Sequence, residues 1–343
     1  MNIRSTMLTA AASAGLVLGS SAAAQVGPTA HLTFDDAANL GNDISGNGNH
    51  AGLNSGPGYT ASGVAGGAAD LVGNSGYFSW VGEDDPVETI LEGPLSFALW
   101  INTTQTGGGG DNGQAFLGQG IVWADVSGTP PGPITDTIPL ALTGSKLGGF
   151  ARSGTHINGN VTVNDGNWHH IAATAANNAG GEYIIYVDGI RDVATTAVGR
   201  ADLSLLDALV LGGNTLDNRY FGGLLDDFQA YDFELNPAEI ARLAMTPGQA
   251  ITRIAGDANG DGNVDLADFV ILRNTFGADR YAGFSTGDFN GDNAVDLQDF
   301  VILRNNFGSG DTAPMDAWRS TVPEPASLGL LAIGGMALIR RRR

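Results

Sequence analysis

The chain contains no cysteine, which excludes disulfide bridges, thiolate zinc sites, iron–sulfur clusters and cysteine nucleophiles together. Any staple the fold needs must come from packing or from a metal held by oxygen. Positive charge is also scarce: 16 Lys and Arg stand against 36 Asp and Glu, a formal net charge of -20. Such a chain repels phosphate backbones and anionic lipid, which argues against nucleic acid as a partner, whereas clustered carboxylates invite hard divalent cations. No G-x-y period and no heptad run occurs, so collagen and coiled coil are excluded. What is abundant is glycine, 52 residues, beside a hydrophobic share of 43%. That combination suits many tight turns between short strands around a packed core.

Both ends read as addresses. Met1 to Arg4 is a short cationic start, Met7 to Leu18 is apolar and small, and Ala22–Ala23–Ala24 precedes Gln25. This predicts a secretory signal over residues 1–24, cut by signal peptidase after Ala24. At the far end Pro323–Glu324–Pro325 precedes an apolar run, Ala326 to Ile339, and then Arg340 to Arg343. As a helix the run would reach about 21 Å, short of the about 30 Å hydrocarbon core, and the arginines supply a cytoplasmic stop. The tripartite tail, residues 322–343, resembles the PEP-CTERM sorting signal. The resemblance implies export, transient membrane anchoring, removal by an exosortase, and display on the surface or in an extracellular matrix.

Between the addresses, residues 29–235 predict one short strand after another, among them His31–Phe34, Tyr77–Val81, Leu95–Asn102, Trp168–Thr174, Glu182–Val187 and Leu224–Phe233. Asp165–Gly166 and Asp188–Gly189 supply the turns. One helix is expected, Pro237 to Leu243, with Asn236 as N-cap and Glu239 in its first turn. Many strands with no alternating helices predict a mainly β fold, an antiparallel two-sheet jelly-roll sandwich. An ordered set of strings sharpens this: His31–Leu32–Thr33–Phe34–Asp35–Asp36, Asp43 to His50, Leu95 to Trp100, Asn167 to Ala172, Tyr186 to Gly189, and Phe221 to Phe228 before the closing helix. Over residues 29–247 this order resembles a laminin G-like domain of the concanavalin A-like lectin and glucanase superfamily. The resemblance implies a jelly roll with Trp100 and Trp168 in its core, binding a glycan, an extracellular protein or calcium.

Three candidate sites lie in this region. Asp43, Asn47 and Asp226 offer mixed oxygen donors for one calcium ion, an arrangement the resemblance implies; the alternative is that Asp43 organises its own turn. Glu83, Asp85 and Glu88 spell the carboxylate spacing of laminarinase-like relatives, yet Pro86 denies the segment a ladder donor and no β-run flanks it, so no catalytic residue is assigned. His169–His170 alternates across a strand beside Trp168, which favours a packing role over ligation. Trp123, Tyr220 and Phe221 are the aromatics to inspect for a glycan groove.

The strongest chemistry lies in residues 254–310, where Gly256 to Gly277 returns as Gly287 to Gly308. Each copy is a calcium loop by the spacing of its oxygens: side chains at the first, third, fifth and ninth places, a carbonyl at the seventh, and a carboxylate at the twelfth. These are Asp257, Asn259, Asp261, Asp265 and Asp268 with the carbonyl of Asn263, then Asp288, Asn290, Asp292, Asp296 and Asp299 with that of Ala294. Two ions are expected. At the sixth place Gly262 is replaced by Asn293, which predicts a weaker second site. Asp rather than Glu at the twelfth place, and one exiting helix without an entering one, resemble the type I dockerin. That resemblance implies docking to a cohesin through the loop–helix junctions, here Leu266–Ala267 and Leu297–Gln298, where cellulosomal dockerins commonly carry small hydroxyl residues. So few apolar side chains predict that calcium is structural there.

The sequence thus predicts an exported, non-catalytic surface or matrix protein: lectin-like jelly roll, calcium module, linker over residues 311–321, and sorting tail. The alternative is a polysaccharide-degrading enzyme or accessory subunit of a cellulosome-like complex.

Overall fold

Alternating apolar residues fold into two antiparallel sheets packed face to face, seen in a computed structural model that describes residues 25–310 except 74, 82–84, 127–136, 152–154, 177–181, 197–205, 216, 279–281 and 293. The expected leader with Ala24, Glu83, Asn293, the linker and the tail with Pro323, Glu324 and Pro325 lie outside the described residues. The first strands are β1 Gln25–Val26, β2 Ala30–Leu32, β3 Gly52–Asn54, β4 Gly58–Thr60, β5 Ala68–Asp70 and β6 Tyr77–Trp80. A helical turn, α1 Pro86–Thr89, leads to β7 Leu95–Asn102, β8 Gln119–Val126, β9 Thr137–Thr143, β10 Lys146–Ala151 and β11 Thr155–Thr162. Then come β12 Trp168–Ala175, β13 Glu182–Val187, β14 Ile190–Thr196, β15 Leu206–Leu211, β16 Gly213–Asn214, β17 Arg219–Tyr220 and β18 Leu224–Tyr231. The last elements among the described residues are α2 Pro237–Met245, β19 Arg253–Ile254, α3 Leu266–Thr275 and α4 Leu297–Asn306.

One sheet has the order β14-β13-β12-β7-β18-β5-β4 with β2 beside β18; the other runs β11-β10-β9-β8-β15-β6-β3 with β16 and β17 at its side. Period-2 alternation decides what faces inward. From β7, Phe97, Leu99 and Ile101 enter the core between the sheets, where they join Phe78 and Trp80 of β6, Leu209 and Leu211 of β15, and Phe228 of β18. In β18 the register shifts between Asp226 and Gln229, and Asp227 takes φ 50. This bulge sends Leu225 and Phe228 inward and leaves both acids on the other side.

The outer face of the β7 sheet is not solvent. Ala98, Ala172, Ile184, Tyr186 and Tyr231 on that face share a second apolar core with Ile240 and Leu243 of α2, and with Val264, Leu272, Phe284, Phe289, Val295 and Leu303 of the C-terminal repeats. Trp100 and Trp168, expected in the sandwich core, are instead half-buried: Trp100 pairs in register with Asp226 and His170, and the large buried indole of the core is Trp80. Alternation fixes which residues share a face, but not which end of a strand is covered.

The two repeats interlock reciprocally. The amide of Val264 donates to Ser309 O (2.9 Å) while Gly308 N donates to Val264 O (2.8 Å); Val295 N donates to Ala278 O and Gly277 N to Val295 O, both at 2.9 Å. Leu272 and Leu303 are buried, and Phe269 meets Phe300 at 6.2 Å between ring centroids.

Candidate functional site

Each repeat opens on an acid whose oxygens gather the backbone that follows. Asp257 Oδ1 accepts from Gly260 N (2.8 Å) and Asp261 N (3.2 Å), and its Oδ2 from Gly262 N (2.9 Å). Asn259 Oδ1 accepts from Asp261 N (2.8 Å), and Asp261 Oδ1 from Asn263 N (2.9 Å). The turn these bonds close needs left-handed backbone at the sixth place, and Gly262 supplies φ 86. Asp265 caps α3 by accepting from Ala267 N, and Asp268 reaches back to accept from Asp265 N (2.8 Å) and Asn259 N (3.2 Å). The second loop repeats the pattern. Asp288 Oδ1 accepts from Gly291 N (2.8 Å), Asn290 Oδ1 from Asp292 N (3.0 Å), Asp292 Oδ1 from Ala294 N (3.0 Å), and Asp296 caps α4 through Gln298 N. Asp299 accepts from Phe289 N and from Asp296 N, both at 2.8 Å.

The donor chemistry suits a hard cation. Asp257, Asp268, Asp288 and Asp299 are buried, and among the described residues Asp257, Asp268 and Asp299 form no ion pair. Burial pushes Asp257 up to about 6, with the charges of Asp268 and Asp261 adding to it. Asp268 is raised by burial and by the neighbouring carboxylates of Asp261 and Asp265. A divalent cation would reverse both penalties. Among the described residues no three His, Asp or Glu side chains gather closely enough to hold an ion by themselves. Each sphere therefore has to draw on the amide oxygen of Asn259 or Asn290 and on backbone carbonyls, which is how oxygen-rich calcium loops are built.

The jelly-roll candidates fall into separate networks. Asp43 Oδ1 accepts from His31 N (2.9 Å) and Ser45 N (2.8 Å), and Oδ2 from Ser45 Oγ (2.8 Å) and Asn49 N (2.9 Å). Burial pulls its carboxyl upward, but these donors together outweigh that and hold it below its ordinary value. Asn47 Nδ2 donates to Pro28 O (3.0 Å) and Thr29 O (3.2 Å). Asp226 is fully buried at the bulge. Its Oδ2 accepts from Val64 N (2.7 Å) and Ala65 N (3.0 Å), while Oδ1 has no partner, and burial with the adjacent Asp227 pushes the group up to about 7. Asp227 is engaged by His31 Nε2 (2.6 Å) and by Gly248 N (2.7 Å).

Asp85 Oδ1 accepts from Val87 N (2.8 Å) and opens α1, so Asp85 precedes and Glu88 lies within a helical turn rather than alternating along a strand. Trp123 and Phe221 are buried; Tyr220 is half-buried and stacks on Tyr77 at 6.0 Å. His170 is buried with Nδ1 unpartnered, and His169 bonds Asp188 (2.9 Å) and Asp165 (3.2 Å). On the C-terminal repeats Leu266 and Leu297 are 68% and 69% exposed.

One buried ion pair was not anticipated. Arg253 and Glu239 form a buried bidentate ion pair (2.9 and 2.6 Å), and Arg253 also lies over the Phe233 ring at 4.5 Å. A lone arginine inside the apolar stretch Ile251 to Ala255 was the available signal, since a charge there demands a partner.

Residues 72–241 match the concanavalin A-like lectin/glucanases superfamily, residues 255–308 the dockerin type I domain, and residues 321–343 the PEP-CTERM protein-sorting motif. A comparison with curated proteins finds no match. Among similar solved structures is domain 4 of an extracellular arabinanase from Geobacillus stearothermophilus, solved with arabinotriose: 21% identity, 63% of this chain, 98% of that one, TM-score 0.43. A sialidase from Trypanosoma rangeli shares 14% identity over 63% of this chain and 32% of its own, with TM-score 0.44. The binding domain of Paraclostridial mosquitocidal protein 1 shares 17% over 64% and 52%, with TM-score 0.42. This chain thus spans about half of that binding domain and about a third of the sialidase. Among the described residues no helix is long and apolar enough to cross a membrane. The chain carries, in this order, a concanavalin A-like jelly roll, a dockerin type I domain and a PEP-CTERM sorting motif, and it is exported to the cell surface or the extracellular space.

Proposed function

We propose that this is a non-catalytic binding protein of the cell surface or extracellular matrix, in which the jelly roll recognises a glycan or an extracellular protein and the dockerin repeats hold two calcium ions. The observation that carries the calcium reading is the congruence of the two loops, which place equivalent acids, amides and caps at equivalent positions. Asp257, Asn259, Asp261, Asp265 and Asp268 with the Asn263 carbonyl would hold one ion; Asp288, Asn290, Asp292, Asp296 and Asp299 with the Ala294 carbonyl would hold the other. Calcium there neutralises crowded carboxylates and staples a module with little core of its own. A shared third ion at Asp43, Asn47 and Asp226 finds no support in these contacts: the Asp43 carboxylate is satisfied by protein donors, Asn47 donates to backbone carbonyls, and Asp226 alone keeps an unpartnered oxygen. Exosortase processing at Pro323–Glu324–Pro325 would follow transient anchoring.

The dockerin match favours a second reading, an accessory or hydrolytic subunit docked to a cohesin, with Leu266 and Leu297 in the contact. A soluble-polysaccharide and glycan-array screen, run with calcium and with chelator alongside reducing-sugar release, separates the two. Binding without released sugar is the expected result; released sugar overturns the non-catalytic assignment.

A further inference from the structure

The jelly roll and the C-terminal repeats meet through a shared apolar core. On the jelly-roll side the outer face of the β7 sheet carries Ser96 and Ala98, side chains short enough to admit a neighbour. Ser96 Oγ donates to Phe233 O (2.8 Å) and accepts from Leu235 N (2.8 Å), which fixes the strand exit that leads to α2. Phe233 then contacts Phe284 (5.5 Å between centroids), and Phe284 contacts Phe289 (5.2 Å), so one aromatic chain runs from the sheet to the second repeat.

The first repeat is tied by charge. Arg253, two-pronged on Glu239 of α2, also donates to Glu234 O (3.0 Å), and Asn236 Nδ2 donates to Gly260 O (3.3 Å) inside the first loop. Gly260 lies so close to the guanidinium that a Cβ there would stand 2.7 Å from Nη2. The N-terminal strand closes the seam: Gln25 and Val26 pair with Ile254 and Arg253. Domains of one chain that touch through polar, wet surfaces move relative to each other. A continuous apolar core with a buried ion pair at its edge instead behaves as the interior of one folding unit.

We propose that the outer face of the β7 sheet, with α2, is a docking surface whose occupant is the chain's own calcium module, so that head and module unfold as one cooperative unit and calcium bound in the module stabilises the jelly roll. The module is then a brace rather than a swinging tether, and anything that docks on Leu266 or Leu297 meets the head in a fixed orientation. The calcium arm of this inference rests on the proposed ion binding; the shared unit does not.

Tryptophan fluorescence reads the head selectively, because Trp80, Trp100, Trp123 and Trp168 lie in the jelly roll and none of the five tryptophans lies in residues 248–310. Thermal melts of the full chain by this signal and by calorimetry should show one transition. With free calcium about 100-fold above Kd, its midpoint should rise by about 5 °C or more over the chelated sample. Two transitions, with a head midpoint equal in calcium and chelator, overturn the inference. Direct calorimetric titration with calcium chloride separates the causes: no calcium uptake overturns the proposed ion sites, while the number of transitions still decides whether the unit is shared. Arg253→Met keeps the stem and removes the ion pair. It should at least halve the calcium-induced shift of the tryptophan midpoint, and an unchanged shift overturns the coupling through Arg253.

Discussion

The jelly roll and the dockerin repeats solve the same problem with opposite means. The head buries large side chains from two sheets against each other, among them Trp80, Phe97 and Phe228. The module has two short helices, α3 and α4, that bury little beyond Leu272 and Leu303 and two acids, Asp268 and Asp299. Where apolar area is plentiful a region holds by dispersion and the hydrophobic effect; where it is scarce, order is delegated to backbone bonds around carboxylates.

Breaking the module's device gives the largest expected effect. Asp268→Ala removes a buried carboxylate that also holds Asn259 N and Asp265 N, and calcium affinity of the first loop should fall by more than the about 10–100-fold that outer-shell changes cost. Calcium titration checks this. On the head side, Trp80→Ala empties a core position against Phe228 and should cost about 3–5 kcal/mol by denaturant unfolding.

Acid should sharpen the contrast. Burial holds His170 down at about 4, below its unfolded value of about 6.5, so the unfolded chain binds the extra proton first. Its contribution is present above about pH 6.5 and is lost as pH falls toward 4, by about 3 kcal/mol, a slope that His170→Gln should flatten in pH-dependent denaturation. Asp226, raised to about 7, works in the opposite sense: its contribution is full below about pH 4 and lost as pH rises through 7. In chelator Asp226→Asn should therefore stabilise the chain at pH 8. The smallest effect is local. Asn236→Ala removes the N-cap that accepts from Ala238 N and Glu239 N, and should lower the melting stability by about 1 kcal/mol.

How much of this could be read beforehand follows the range of the interactions. The turn-and-helix pattern of the two repeats was legible because the bonds that shape it span a few positions. Strands with plain alternation, Leu95–Asn102 and Glu182–Val187, stand where expected. Strand Thr155–Thr162 was not anticipated: Asn158, Gly159 and Asn160 carry poor strand propensity, and tertiary pairing with β10 overrides it. The second core escaped the sequence altogether, because its members are apolar in both regions and nothing local says that they meet.

The reciprocal bonds, Val264 with Gly308 and Ser309 and Val295 with Gly277 and Ala278, make each repeat depend on the other. Each repeat completes the other by lending the turn after its helix, so a chain with a single copy would have to borrow that turn from a second molecule. Two copies on one chain make that contact intramolecular, at far higher effective concentration than between separate molecules.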